Sequence, residues 1–112
     1  MRLTDSSEFE KVYKQGTAYR GKLFTVHEFP NELGTLRLGL SVSKKVGNAV
    51  VRNTLRRRLR EIFANVAPEA GSDRDLVVSA RPAARGASFE DLRAEFSRAL
   101  VRLRVLDQAV EW

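Results

Sequence analysis

Seven basic residues and no acidic one lie between Lys44 and Arg60 of this 112-residue chain. The rest of the chain carries 13 Lys and Arg residues against 14 Asp and Glu residues, so this segment supplies the whole formal net charge of +6. Arginine dominates the segment, and a guanidinium can donate two parallel hydrogen bonds to a phosphate. Such a local excess of positive charge indicates a polyanionic partner, either nucleic acid or an anionic membrane surface.

The basic segment is predicted to form a helix from Ala49 to about Val66, with Asn48 as its N-cap. At about 100° per residue, one arc of this helix is apolar and should pack on a sheet: Val51, Leu55, Leu59, Ile62 and Val66. The opposite flank is basic: Arg52, Arg56 and Arg60, beside Asn53 and Arg57. Like charges one turn apart destabilise a helix by about 0.2–0.5 kcal/mol per pair, so the row favours neutralisation by an outside anion.

Two other interpretations of the basic flank are weaker. A solvated helix face normally mixes charges of both signs, and this one does not. A membrane-bound or calmodulin-binding helix would need interfacial aromatic anchors, but the apolar side has β-branched residues and only Phe63 as an aromatic, which is typical of a core. Nucleic acid is therefore the predicted partner.

The choice between DNA and RNA rests on fewer residues. No helix-turn-helix arrangement is visible to support a helix in a DNA major groove. RNA recognition commonly adds aromatic stacking on unpaired bases. Four side chains could stack in this way, although each of them alone is better explained as a core residue: Phe9, Tyr13, Phe24 and His27.

The composition argues against chemistry by the protein itself. The chain has one histidine and no cysteine, so it offers neither a Ser/His/Asp nor a Cys/His set, no disulfide and no thiolate metal site. It has no Gly-rich phosphate loop and no cluster of metal ligands. It also lacks a secretory signal and any run of about 20 apolar residues that could span a membrane, so a cytoplasmic protein is expected.

The elements around the basic helix predict one α+β domain over residues 1–112, in the order α-β-β-β-α-β-α. A first helix should run from about Ser7 to Gln15 and end at Gly16. The predicted extended segments are Thr17 to Arg20, Leu23 to Phe29, Leu36 to Val42 and Asp75 to Ala80. The second and third of these are joined by a turn with Pro30, Asn31 and Gly34, and are expected to pair as an antiparallel hairpin. Residues 81–87 should form a loop, and a last helix should begin at Ser88, with Asp91 in capping-box register.

Residues 39–53 read GLSVSKKVGNAVVRN and are followed by an arginine-rich helix. This central motif resembles that of the bacterial ribonuclease P protein subunit, a family with a Ser-x-Ser-Lys-Lys-x-Gly-x-Ala segment and an Arg-Asn-Arg core. Weaker matches flank it at both ends of the chain: Phe9, Val12, Tyr13 and Gly16, and then Ala80, Arg81 and Ala84. The chain departs from the core motif at Thr54, where the family has its second arginine.

The resemblance implies a small protein that binds a large catalytic RNA and assists its Mg²⁺-dependent removal of the 5′ leader from precursor tRNA. The magnesium would be held mainly by the RNA, and neither a membrane nor an obligate protein partner is expected. The residues implied to bind RNA are Lys44, Lys45, Asn48, Arg52, Asn53, Arg56, Arg57, Arg60 and Arg81. Those implied to line a cleft for the leader are Phe9, Tyr13, His27 and Arg37.

Two further expectations follow from the resemblance. The fold should have a mostly antiparallel sheet with a left-handed βαβ crossover, although the general rule would favour the right-handed form. His27 stands where the family often has a tyrosine, which would make stacking weaker and could add pH dependence. The alternative function is a non-enzymatic RNA-binding module, such as a ribosomal protein, whose basic helix only clamps folded RNA.

Overall fold

The computed structural model describes residues 16–31, 34–67 and 73–105. The predicted first helix, with Phe9 and Tyr13, lies outside these residues. The elements are strands β1 (Thr17–Arg20), β2 (Phe24–Pro30) and β3 (Leu36–Ser41), helix α1 (Ala49–Val66), strand β4 (Arg74–Ala80), a 3-10 helix (Pro82–Gly86) and helix α2 (Phe89–Arg102). The predicted bounds of α1 are confirmed, and each predicted strand is shifted by no more than one residue at either end. The expected loop after β4 contains the 3-10 helix instead, with Pro82 at its start, where proline is favoured.

Strand β4 lies inside the four-stranded sheet, whose order is β1-β2-β4-β3. It pairs antiparallel with β2 from Phe24↔Ala80 to Pro30↔Arg74, and parallel with β3 from Leu36↔Arg74 to Ser41↔Ser79. Leu76, Val77 and Val78 are all fully buried, as suits a strand in the interior of the sheet. The α+β class and the mostly antiparallel sheet are confirmed, since two of the three pairings are antiparallel.

The predicted hairpin between β2 and β3 is wrong, because β4 lies between these two strands. The connection from β2 to β3 instead passes around the start of β4. Asn31 N donates to Asp73 O at 2.7 Å, and Gly34 N donates to the Asp73 carboxylate. Asp73 and Gly34 both have positive φ, 64° and 70°, which lets the two chain segments turn tightly against each other. The strand directions were predicted correctly, but their adjacency was not.

Both helices pack on one face of the sheet. Alternation along β2 sends Phe24 and Val26 into the core and leaves Thr25 and His27 on the opposite face, called here the open face. Helix α1 contributes Leu55, Leu59, Ile62 and Val66 to the core. Helix α2 contributes Leu92, Phe96, Ala99 and Leu100, and the Phe96 ring meets that of Phe24 edge-on at 6.2 Å. The predicted apolar arc of α1 is thus confirmed.

Helix α1 lies in the connection between the parallel strands β3 and β4, which makes β3-α1-β4 a crossover unit. Parallel neighbours need such a connection because a tight turn cannot join them. The hand of this crossover stays a prediction from the resemblance. Both predicted helix caps are confirmed: Asn48 Oδ1 accepts from Val51 N at 3.0 Å, and Ser88 and Asp91 form a capping box.

A buried carboxylate fixes the turn between β1 and β2. Glu95 of α2 is 6% exposed, and its oxygens accept hydrogen bonds from three successive backbone N–H groups, those of Lys22, Leu23 and Phe24, at 3.2, 3.0 and 3.1 Å. A Cβ at Gly21 would lie 2.6 Å from Glu95 Oε2, so the turn needs glycine there. The contact ties the edge hairpin to α2 across more than 70 residues of sequence.

No helix in the described ranges is long and apolar enough to cross a membrane.

Leu59→Ala is expected to lower the free energy of unfolding by about 2–5 kcal/mol, because it removes a fully buried side chain at the centre of the α1 contact. Urea titration followed by circular dichroism measures the change. The matched control is Val50→Ala on the same helix, since Val50 is 74% exposed and its loss should change stability by less than about 0.5 kcal/mol. Equal effects of the two changes would contradict the assigned orientation of α1.

Candidate nucleic-acid interface

The apolar arc of α1 fixes which way its arginines point. Leu55 and Leu59 are 3% and 0% exposed, so rotation of the helix about its axis would pull them out of the core. Arg52, Arg56 and Arg60 are half-buried along one flank of this arc, and Asn53 and Arg57 are exposed beside them. The predicted row is therefore present as one surface, called here the arginine row (Arg52, Arg56 and Arg60).

Arg56 marks where the arginine row lies relative to the sheet. Its Nη1 donates to Asn53 Oδ1 at 3.2 Å, and its Nη2 lies 3.5 Å from the carbonyl oxygen of Val42, just beyond the end of β3. Asn53 thus orients an arginine of the row through its side-chain oxygen. The row runs past the end of the sheet at which β3 stops and β4 also ends.

Arg52 holds a buried donor that no described residue satisfies. Its Nε atom is buried, and no hydrogen-bond partner for it exists in the part of the chain that the structure describes. A buried donor without an acceptor costs about 1–3 kcal/mol. An oxygen supplied by a bound anion would remove this cost, and the guanidinium fork fits a phosphate.

The turn before α1 presents two lysines at the same end of the sheet. Val46 is 1% exposed and its N–H donates to Ser43 O at 3.1 Å, which anchors a tight turn with Lys44 and Lys45 exposed on it. Gly47 is required next, since a Cβ there would lie 2.8 Å from Val51 Cγ1. Asn48 is exposed, and its Oδ1 serves as the cap of α1, so its amide nitrogen is the group it can offer to RNA.

Two arginines of the sheet are neutralised by carboxylates, in contrast to Arg52, Arg56 and Arg57 of α1. Arg37 donates Nε and Nη2 to the two oxygens of Asp75, both at 2.8 Å, and Arg74 Nη1 meets Glu28 Oε1 at 2.6 Å. No ion pair between described residues includes Arg52, Arg56 or Arg57. Arg37 and Arg74 are thus paired internally, and the charges of Arg52, Arg56 and Arg57 are left for a partner.

Arg37 lies apart from the other predicted RNA ligands. It is at the start of β3, opposite Asp75 in the parallel ladder, whereas Lys44 and Lys45 follow the far end of that strand. Its side chain is 14% exposed, and Asp75 also accepts from Asn31 Nδ2 at 2.6 Å. The guanidinium is thus committed to a carboxylate, and leader binding by Arg37 stays a prediction for which this geometry gives no support.

His27 lies on the open face of β2, half-buried and opposite Ala18 of β1. Burial and the nearby charge of Arg20 lower the pKa of His27 below 6.5, while a hydrogen bond to the backbone of Val77 acts in the opposite direction. The imidazole is therefore neutral near pH 7. A neutral ring on this face can stack on a base, as predicted for it.

Arg81 lies where β4 ends, at the same end of the sheet as the two lysines. Its backbone N–H donates to Leu23 O at 2.8 Å, and its Nη1 donates to Gly21 O at 3.2 Å. The side chain is exposed, so both an internal contact and an outside anion are within its reach. The structure thus gathers Lys44, Lys45, Asn48, Arg52 and Arg81 at one end of the sheet, with His27 further along the open face.

Two cations of this end were missed from the sequence. Arg20 and Lys22 flank Gly21 in the β1–β2 turn, and both are exposed. Arg20 and Lys22 are far from Lys44 in the sequence. The three residues lie at the same end of the sheet only because β2 pairs with β4, and the sequence does not show that pairing. A basic residue on each side of a turn glycine is the signal that could have drawn attention to them.

Comparisons with known proteins agree on one family. The Ribonuclease P family model matches residues 1–104. The ribonuclease P protein component of Shouchella clausii is 39% identical over 106 residues, covering 94% of this chain and 87% of that protein. That of Bacillus pumilus is 36% identical over 109 residues, with coverages of 96% and 91%. The solved RNase P protein of Staphylococcus aureus is similar with a TM-score of 0.87 at 32% identity, covering 94% of this chain and 96% of that one. That of Thermotoga maritima has a TM-score of 0.78 at 29% identity, with coverages of 86% and 91%.

The lowered pKa of His27 predicts a pH dependence of stability. Below pH 6.5 the unfolded chain binds a proton more readily than the folded one, so the free energy of unfolding should rise with pH up to about 6.5 and then level off. Urea titrations from pH 5 to 8 measure this, and His27→Gln should flatten that part of the curve. Parallel curves for the two proteins would contradict the assigned environment of His27.

Proposed function

We infer the function of this chain from its family: it belongs to the ribonuclease P protein family, whose members are the protein subunits of the endonuclease that matures the 5′ end of tRNA. The finer proposal is that α1 binds RNA phosphates with its arginine row, and that the open face receives the single-stranded leader of precursor tRNA. Each part of this proposal is supported by different residues.

The absence of a carboxylate beside two arginines of the row is the observation that carries the RNA-binding role. Arg52 and Arg56 have no carboxylate partner among the described residues, while Arg37 and Arg74 in the same fold do. The buried Nε of Arg52 adds a donor that needs an acceptor. Phosphate oxygens would satisfy both requirements, and the exposed Lys44, Lys45 and Arg57 extend the same positive surface.

The proposed partner of this surface is the catalytic RNA, with nearby substrate phosphates. Thr54, which stands where the family has its second arginine, is half-buried on the side of α1 away from the arginine row. Its presence therefore leaves the row intact. A contact made by an arginine at that position in other family members would be missing here.

The cleavage chemistry is proposed to reside in the RNA. The residues that the structure describes contain no group of three or more His, Asp or Glu side chains placed to hold a metal ion. The carboxylates near the sheet, such as Asp75, are engaged with Arg37 and Asn31. Magnesium would accordingly be held mainly by RNA phosphates, and the protein would act by lowering the electrostatic cost of bringing RNA strands together.

The leader is proposed to lie on the open face. His27 offers a neutral ring there, and Arg81 offers a cation where β4 ends at the edge of this face. Phe9 and Tyr13 remain predicted members of this cleft outside the described residues. A single strand is favoured over a duplex because unpaired bases can stack on aromatic rings.

Reconstitution tests this function directly. The protein is mixed with a bacterial ribonuclease P RNA at low Mg²⁺, and removal of the leader from precursor tRNA is followed with time. Faster cleavage than by the RNA alone is expected, because the cationic surface substitutes for part of the metal-ion requirement. No stimulation would overturn the proposal and leave a non-enzymatic RNA-binding module, such as a ribosomal protein, as the better account.

A matched pair of variants, compared by the salt dependence of binding to ribonuclease P RNA, tests the arginine row. Arg56→Ala should weaken RNA binding and lower the slope of log K against log salt by about 0.7–0.9, the amount expected for one lost phosphate contact. Arg98→Ala removes the same charge from the exposed side of α2 and should leave the slope unchanged. Indistinguishable slopes for the two variants would show that Arg56 is merely solvated.

A further inference from the structure

The β1–β2 turn carries cations that neither the sequence motifs nor the arginine row explain. Arg20 and Lys22 are exposed on either side of Gly21, and neither forms an ion pair with a described residue. In most of the sheet the structure neutralises its basic side chains, as Asp75 does for Arg37. The two turn cations depart from that pattern in the same way as Arg52 and Arg56 do.

The buried carboxylate of Glu95 holds the backbone of the β1–β2 turn in place. Glu95 accepts from the N–H groups of Lys22, Leu23 and Phe24, and Gly21 N donates to Phe24 O at 3.0 Å. Burial of a charged carboxylate is unfavourable unless several hydrogen bonds compensate it, and three do so here. The negative charge of Glu95 is thus directed inward at the backbone, and the outer side of the turn stays positive.

Arg81 joins the turn to the end of β4. Its backbone N–H and its guanidinium donate to Leu23 O and Gly21 O, at 2.8 and 3.2 Å. Three cations, Arg20, Lys22 and Arg81, therefore belong to one rigid unit at the end of the sheet. We call this unit the turn cluster (Arg20, Lys22 and Arg81).

Arg20 connects the turn cluster to the open face. Tyr19 packs toward the core, so its neighbours Ala18 and Arg20 project on the other face of β1, where Ala18 pairs with His27. The charge of Arg20 is also close enough to lower the pKa of His27. Arg20 and His27 project on the same face of the sheet, so an RNA strand that stacks on His27 can reach Arg20 without crossing an edge of the sheet.

We propose that Arg20 and Lys22 of the β1–β2 turn bind phosphates of the precursor-tRNA leader, extending the leader path from the open face to the turn cluster. This proposal rests on the proposed function and adds residues to it. The shared chemistry is a phosphodiester backbone, which the catalytic RNA could also supply. The position of Arg20 beside His27 favours the leader.

The test uses the complete ribonucleoprotein formed by the full chain and a ribonuclease P RNA. Dissociation constants are measured for precursor tRNA with a long leader, precursor tRNA with a one-nucleotide leader, and mature tRNA. Arg20→Ala/Lys22→Ala should weaken binding of the long-leader substrate by about 3- to 20-fold, because exposed charge contacts are individually weak. The salt slope for that substrate should fall by about 0.7 per lost contact to a single strand. Binding of the other two RNAs should not change.

The control Arg98→Ala/Arg102→Ala removes the same charge from exposed positions of α2 and should leave all three constants unchanged. Equal losses for long-leader and mature tRNA, or equal effects of the control, would overturn the leader assignment. So would a loss confined to assembly with the catalytic RNA, which would make that RNA the source of the phosphates. If the wild-type ribonucleoprotein does not prefer the long-leader substrate over mature tRNA, the proposed function is overturned as well. If the wild type has this preference and the double variant keeps it in full, only the proposed contact of Arg20 and Lys22 with the leader is overturned.

Discussion

The parallel pairing of β3 with β4 is the constraint on which the rest of the structure depends. Six register pairs, from Leu36↔Arg74 to Ser41↔Ser79, fix the two strands side by side. Parallel neighbours require a long connection across the sheet, and α1 provides it. The same pairing brings the end of β4 beside the end of β3, so Lys44, the start of α1 and Arg81 meet at one end of the sheet. The basic surface is thus a consequence of the strand order.

Arginine is used in two ways in this domain, and the difference explains why the basic surface of α1 stays available to RNA. Inside the sheet, Arg37 and Arg74 are matched with Asp75 and Glu28, whose burial is tolerated because the carboxylates are neutralised. On α1 the packing side is purely apolar, and Arg52 and Arg56 lack a carboxylate partner among the described residues. Neutralising them within the chain would stabilise the free protein but would remove the attraction for RNA. The fold thus pairs Arg37 and Arg74 internally and leaves Arg52 and Arg56 to an outside partner.

Helices α1 and α2 were predictable from the sequence because their information is local. The apolar spacing of Leu55, Leu59 and Ile62 is enough to define α1 and its orientation, and Asn48 and Ser88 mark the helix starts by capping chemistry. The arginine row follows from the same periodicity, so most of the basic part of the candidate site could be named in advance.

Strand adjacency and buried polar contacts could not be derived in the same way. Alternation in β3 identifies its two faces but not its neighbour, and a short connection from β2 suggested a hairpin that the insertion of β4 replaces. The uninterrupted apolar run Leu76–Val78 was the available sign that β4 lies in the middle of the sheet. Arg37 and Asp75 form an ion pair across 38 positions of sequence, and Glu95 accepts hydrogen bonds from the β1–β2 turn across more than 70 positions. No pattern in the chain predicts either contact.

Directed cleavage of RNA from the surface of α1 tests most directly whether this helix faces RNA. The chain has no cysteine, so a single one can be introduced and tethered to an iron chelate that generates hydroxyl radicals. Ala64 and Ala94 are matched positions, since both are exposed alanines, on α1 and α2 respectively. We expect strong, localised cuts in ribonuclease P RNA from Ala64→Cys and weak or no cuts from Ala94→Cys. Cuts of equal strength from both positions, or cuts from Ala94→Cys alone, would contradict it.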